Sequence, residues 1–179
     1  MLSEMDFHCE LKPTPLFSER WTNQKILNQI KGRQRRFENG QSYPSDRILF
    51  VQGEDLYGFK LVGMKFQRLM FRSNDLGIAT FDNCVGSLIE FSDCSMNHAK
   101  FTNCQFSHGD FSDCSFIRAS LSGTFKNTSF ISCYMNHADL TGAKFINCRF
   151  ANTELIGAKL SLDPADWEGS TLPSGVTVC

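Results

Sequence analysis

The chain has 179 residues, with 18 basic and 19 acidic side chains and a formal net charge of −1. That length supports one domain with modest end pieces. The near-neutral balance supplies no strong global field toward nucleic acid or a membrane surface. Phenylalanine stands out, with 17 copies against three tyrosines and two tryptophans. A buried aromatic repeat uses that many; an ordinary mixed surface does not.

The start, MLSEMDFHCELKPTP, has no apolar signal-peptide core. No stretch approaches the roughly 18 apolar residues of a membrane span. Eight cysteines suggest a disulfide framework only in a short secreted chain, and this one is too long for that class. A cytoplasmic protein with reduced thiols is the expectation. Cys9 beside His8 is a weak nucleophile pair in the tail. Residues 17–37, FSERWTNQKILNQIKGRQRRF, read as a helix with apolar Trp21, Ile26, Leu27 and Ile30. KGRQRR at 31–36 reads as a solvated helix end rather than a nucleic-acid or lipid contact. Residues 1–48 are thus expected to be a tail and capping helix. Leu49, Val51 and Gly53 begin a new pattern.

From Leu56 a large apolar residue falls at every fifth position: Leu56, Leu61, Phe66, Phe71, Leu76 and Phe81. Position 86 is glycine. The series resumes at Phe91, Met96, Phe101, Phe106, Phe111, Phe116 and Leu121. It slips by one residue and continues at Phe125, Phe130, Met135, Leu140, Phe145, Phe150, Leu155 and Leu160. Two residues before most centres lies a small one, such as Ala79, Cys84, Cys94, Ala99, Cys104, Gly109, Cys114, Cys133 or Cys148. Neither a helix nor a flat strand keeps five-residue steps on one side. A chain that turns a corner every five residues does, and four corners close a square coil of 20 residues. Coils stack at about 4.8 Å, so five to six of them span on the order of 25 Å. The tetrapeptide MNHA, at 96–99 and again at 135–138, then falls on one face two coils apart, with the deletion between.

Every fourth centre shares a face. One reads Phe71, Phe91, Phe111, Phe130, Phe150. Another reads Phe66, Gly86, Phe106, Phe125, Phe145, with Leu88, Ile89 or a local bulge expected to fill the gap at Gly86. Cys94, Cys114 and Cys133 form a ladder on a third face. Alanine replaces cysteine freely in such columns, and zinc wants a tetrahedron rather than a line. The thiols therefore read as small buried apolar groups, and the phenylalanines of the first two faces named and these three cysteines as structural core. After Leu162, DPADW reads as a short helix start and LPSG as a turn, making 163–179 a C-terminal cap or tail.

Segments such as AKFTN (99–103), ADLTG (138–142), AKFIN (143–147) and CRFAN (148–152) resemble the repeats of the pentapeptide-repeat proteins. The resemblance covers Glu54 to Leu162, about 60% of the chain. It implies an all-β solenoid, a right-handed quadrilateral β-helix, over 49–162. Some members of that family mimic duplex DNA and bind DNA gyrase; those rods are strongly acidic. Here the repeat region carries ten acids and ten bases, which disfavours gyrase as partner. Other members are bacterial effectors delivered into host cells, some with a ubiquitin-ligase domain after the rod; no residue here matches a ligase.

The remaining candidate chemistry is sparse. His98 and His137 take matching outward positions with Arg118 between them, two coils or roughly 10 Å apart, too far to share a metal ion. No nucleophile elbow, zinc motif or phosphate-binding loop occurs. The expectation is a non-enzymatic protein-interaction rod with no cofactor, metal or catalytic residue. Its partner is an unidentified protein, and a terminal cap is a candidate homodimer contact. The alternatives are a gyrase antagonist and an accessory domain of an effector enzyme.

Overall fold

A computed structural model describes residues 17–39 and 48–172, except for the side chains of residues 17–23, 37 and 38. His8, Cys9, Cys179, the side chain of Trp21 and the LPSG turn beyond Leu172 lie outside that set.

Short extended segments with a centre every fifth residue cannot bury their apolar side chains alone, so they must stack. Among the described residues they do so as eleven parallel strands: Leu49–Gln52, Lys60–Val62, Lys65–Arg72, Thr80–Asp82, Val85–Ser92, Lys100–Ser107, Asp110–Ser112, Ser120–Lys126, Ser129–Ile131, Asp139–Ile146 and Arg149–Ala151. Pairing joins residues twenty apart, as in Leu49↔Leu69, Phe71↔Phe91 and Phe81↔Phe101. Across the deletion it joins residues nineteen apart, as in Phe111↔Phe130. The result is a parallel β-solenoid of about five turns, with one helix, α1 (Phe17–Glu38), before it.

Four faces follow from the register, named here by their centres. The first carries Phe71, Phe91, Phe111, Phe130 and Phe150; the second Leu56, Leu76, Met96, Phe116, Met135 and Leu155. The third carries Leu61, Phe81, Phe101, Leu121 and Leu140; the fourth Phe66, Gly86, Phe106, Phe125 and Phe145. All these centres are buried except Leu155, which is partly covered.

The second face is built from turns instead of long strands, and it explains MNHA. Met96 and Met135 are fully buried centres. Their carbonyls accept from Ala99 N and Ala138 N, each at 3.1 Å, closing a turn. His98 and His137 sit at its third position, both at φ 59°. Asn97 Oδ1 accepts from Ile117 N at 3.0 Å, and Asn136 Oδ1 from Ile156 N at 3.0 Å, one coil onward. Each letter of the tetrapeptide therefore has a structural task.

The deletion closes at Gly123. Register passes from Phe101↔Leu121 to Cys104↔Gly123. Gly123 has φ 123°, and a Cβ there would lie 2.1 Å from the Cys104 carbonyl oxygen.

The phenylalanines of the first face stack with ring centroids 4.8–5.1 Å apart and planes within 12° of parallel. On the fourth face neither expected filler of the Gly86 gap occupies it. Leu88 is exposed at 45%. Ile89 is buried, but in the small-residue column, where it packs above Gly109. There is no bulge either, since Lys65↔Val85, Phe66↔Gly86 and Gln67↔Ser87 pair in register. Instead the rings of Phe66 and Phe106 close over the glycine to a centroid separation of 6.0 Å. They stand two coils apart, about 10 Å by strand spacing, so both rings lean into the gap.

Both ends are covered. Ile26 and Ile30 of α1 are buried against the first coil, and Arg33 donates to the Arg68 carbonyl at 3.4 Å. At the other end Asp163 caps a one-turn helix, Pro164–Trp167, by accepting from Ala165 N at 2.9 Å. Trp167 stacks on Phe145 at 4.8 Å and donates its indole N–H to the Ser161 carbonyl.

Phe111→Ala removes one ring from the middle of the stack and is expected to cost about 3–5 kcal/mol by chemical denaturation. Gly123→Ala is expected to destabilise by at least about 3 kcal/mol, since no side chain is compatible with both that φ and the facing carbonyl. Gly32→Ala, on the open side of α1 with nothing within 4 Å, should instead stabilise by up to about 1 kcal/mol.

Candidate interaction surface

The cysteine ladders lie inside the rod. Cys84, Cys94, Cys104, Cys114, Cys133 and Cys148 are free, buried thiols. Each Sγ donates to the carbonyl of a centre in the preceding coil, at 3.2–3.5 Å. In the same geometry Thr153 Oγ1 donates to the Phe130 carbonyl at 2.9 Å and Ser170 Oγ to that of Phe145 at 2.8 Å. The thiols are thus more than small apolar groups. They hold one coil to the next, and Thr153, in the column of Cys94, Cys114 and Cys133, is the sequence signal for that donor role.

The acidity of Cys104, Cys114 and Cys133 fits a structural role, whereas their hydrogen-bonded neighbours Cys84 and Cys94 are lowered by those same bonds. The hydrogen bonds with Cys84 and Cys94, and then burial, push the thiols of Cys104 and Cys114 far above the usual range. Burial pushes Cys133 up to about 12. Such groups stay neutral at physiological pH and lack the thiolate that a nucleophile or metal ligand requires.

His98, Arg118 and His137 do line one corner, all exposed and all at positive φ. His137 lies over Gly157, where an added Cβ would meet its ring.

Sorting the outward side chains by face shows a division that total charge conceals. With each corner residue assigned to the face it follows, the first and second faces carry Glu54, Asp55, Asp75, Glu90, Asp93, Asp110, Asp113 and Glu154. Their only formal cations are Arg72, Arg118 and Arg149. The third and fourth faces carry Lys60, Lys65, Arg68, Lys100, Lys126, Lys144 and Lys159 against Asp82 and Asp139. The neutral rod therefore has one side at −5 and the other at +5. The fourth face alone holds four cations and no acid.

That fourth face is also dented. A groove of about 460 Å³ crosses it, floored by Phe66, Gly86 and Phe106 and bordered by Lys65, Val85, Gln105 and Lys126. Among the described residues, Lys65 and Lys126 have no ion-pair partner.

Residues 89–124 and 125–161 match the family model described as pentapeptide repeats, in eight copies. The chain carries a pentapeptide-repeat domain. Strand pairing extends the same coil upstream of the matched pentapeptide repeats to Leu49. Solved structures similar to this domain include full-length QnrB1, a plasmid-mediated fluoroquinolone resistance protein. It is 15% identical, with 71% of this chain and 92% of that one covered at a TM-score of 0.36. Rfr23, a pentapeptide repeat protein from the cyanobacterium Cyanothece 51142, is 10% identical over 70% and 86% at 0.33. HetL, a pentapeptide repeat protein involved in heterocyst differentiation regulation from the cyanobacterium Nostoc, is 16% identical over 73% and 75% at 0.30. Scores this low carry no argument about what the present pentapeptide-repeat domain binds. No curated protein matches the sequence.

The thiol ladder gives the domain an alkaline limit. Cys133 is raised from 9.0 to about 12 in the fold, so the unfolded chain gives up this proton first as pH rises. Its contribution is complete below pH 9.0 and is lost on the way to about pH 12. Denaturation midpoints should fall over that window, and Cys133→Ala should fall less steeply.

Proposed function

We propose that the protein is a non-enzymatic protein-interaction rod. One observation supports this most. The interior is filled from end to end by stacked centres, so chemistry is available only from outward side chains on firm, nearly flat faces. Those faces are divided by charge, and charge division of this kind gives orientation and specificity in association. The setting we favour is the cytoplasm of a bacterium, where six buried free thiols remain reduced; delivery into a host cell as an effector is compatible with the same surface.

The acidic side favours a second reading, antagonism of a DNA-binding protein such as gyrase. Magnitude weighs against it. The acidic faces sum to −5 over a rod on the order of 25 Å, where duplex DNA carries roughly 15 charges. A role as accessory domain of a larger effector enzyme rests on family analogy alone.

The test is capture of partners on the immobilised full chain, followed by reassembly of the complex from purified components. A defined partner that rebinds, and is released by charge reversals on one face, is the expected result. A turnover that copurifies with the folded rod through stringent steps would overturn the reading. A gyrase supercoiling reaction should be unaffected by a large excess of the protein.

A further inference from the structure

We propose that the groove on the fourth face is a docking site for a short, extended, acidic segment of a partner protein with one apolar anchor side chain. This rests on the interaction-rod reading and names the chemistry of the partner.

The first support is the irregularity itself. Beside Gly86, the one centre without a side chain, the groove is bordered by Val85 at 40% exposure. Val85 offers an apolar contact open to solvent on a face whose charged residues are all cationic. An apolar side chain set against it in the groove is removed from water.

Charge supplies the second support. Lys65 and Lys126 border the groove three coils apart along the rod and two residues apart across the face, about 16 Å in all. About five extended residues, at roughly 3.3 Å each, cover that distance. Carboxylates on such a segment reach both ammonium groups while its apolar residue sits against Val85. Gln67, Gln105, Ser107 and Thr124 line the same groove and supply hydrogen-bonding groups for the segment's backbone.

Nucleic acid fits less well. Base stacking needs an open aromatic face, and Phe66 and Phe106 are only 7% and 1% exposed. Four cations on one face also make a weak phosphate track.

The experiment uses the full chain and a fluorescein-labelled, glutamate-rich peptide with one central leucine, read by anisotropy. The comparison probes are the same peptide with glycine for leucine, its lysine counterpart, and oligothymidylate. Lys65→Glu with Lys126→Glu should weaken the leucine peptide by about tenfold or more. Ser87→Trp, which fills the groove and leaves every charge in place, should weaken it as well. Lys60→Glu with Lys100→Glu makes the same charge change on the third face and should leave binding unchanged. Circular dichroism checks that each variant is folded, and all five positions face outward. Equal loss in both charge-reversed pairs, indifference to leucine or to Ser87→Trp, preference for oligothymidylate, or no peptide binding would each overturn the assignment. A partner captured by the full chain but not released by Lys65→Glu with Lys126→Glu would leave the rod standing and remove the groove from it.

Discussion

Nearly every corner of this rod, two places after a centre, holds a left-handed backbone, and the rest of the structure depends on that. Sixteen non-glycine residues have φ between 49° and 59°, each two places after a centre. The conformation costs roughly 1–2 kcal/mol per residue and is repaid by the ladder on either side of the corner. Asn, Asp, His and Ser, which tolerate it better than branched residues, fill twelve of the sixteen places. Ile78 and Leu88 do not fit that chemistry, yet they adopt φ 50° and 53°. The coils above and below impose the corner there, since Ile78 N donates to the Asn97 carbonyl at 2.9 Å.

Once the corners are fixed, the centres have no freedom in direction, and packing becomes a question about columns. A column of identical rings stacks at the strand spacing, as the first face does. A column with a missing ring must adjust within itself, because backbone pairing holds the register. The fourth face adjusts by tilting Phe66 and Phe106 together. The gap at Gly86 is thereby filled from inside, by rings that a Cβ at that position would strike.

Much of this was legible because five-residue periodicity excludes helices and flat strands. The centres, the deletion after Leu121 and the start near Leu49 followed from that spacing, the helix over residues 17–37 from its apolar positions, and the short turn at DPADW from its helix-start signal. What was not legible depends on neighbours twenty residues away. The contact partners of Gly86 are Phe66 and Phe106, whereas a reading along the chain looks to Leu88 and Ile89. The donor role of the thiols needed the carbonyl one coil earlier. Charge division escaped because ten acids and ten bases cancel in a sum, while Glu90 and Asp110 share one face and Lys65 and Lys126 another. On a solenoid, net charge is a poor summary; charge per column is the physical quantity.

The same geometry decides how such a rod can recognise anything. An open sheet can accept an added strand at its edge. Here strand edges occur only at the two ends of the coil, and α1 and Trp167 lie against them. Along the sides, backbone N–H and carbonyl groups are spent on neighbouring coils, as in Gln105 N to the Cys84 carbonyl at 2.8 Å. A partner approaching laterally meets side chains alone. Affinity then rests on the charge of a face and on any relief that lets an apolar group leave water. The fourth face combines both, because its cations border a groove in which Val85 is exposed.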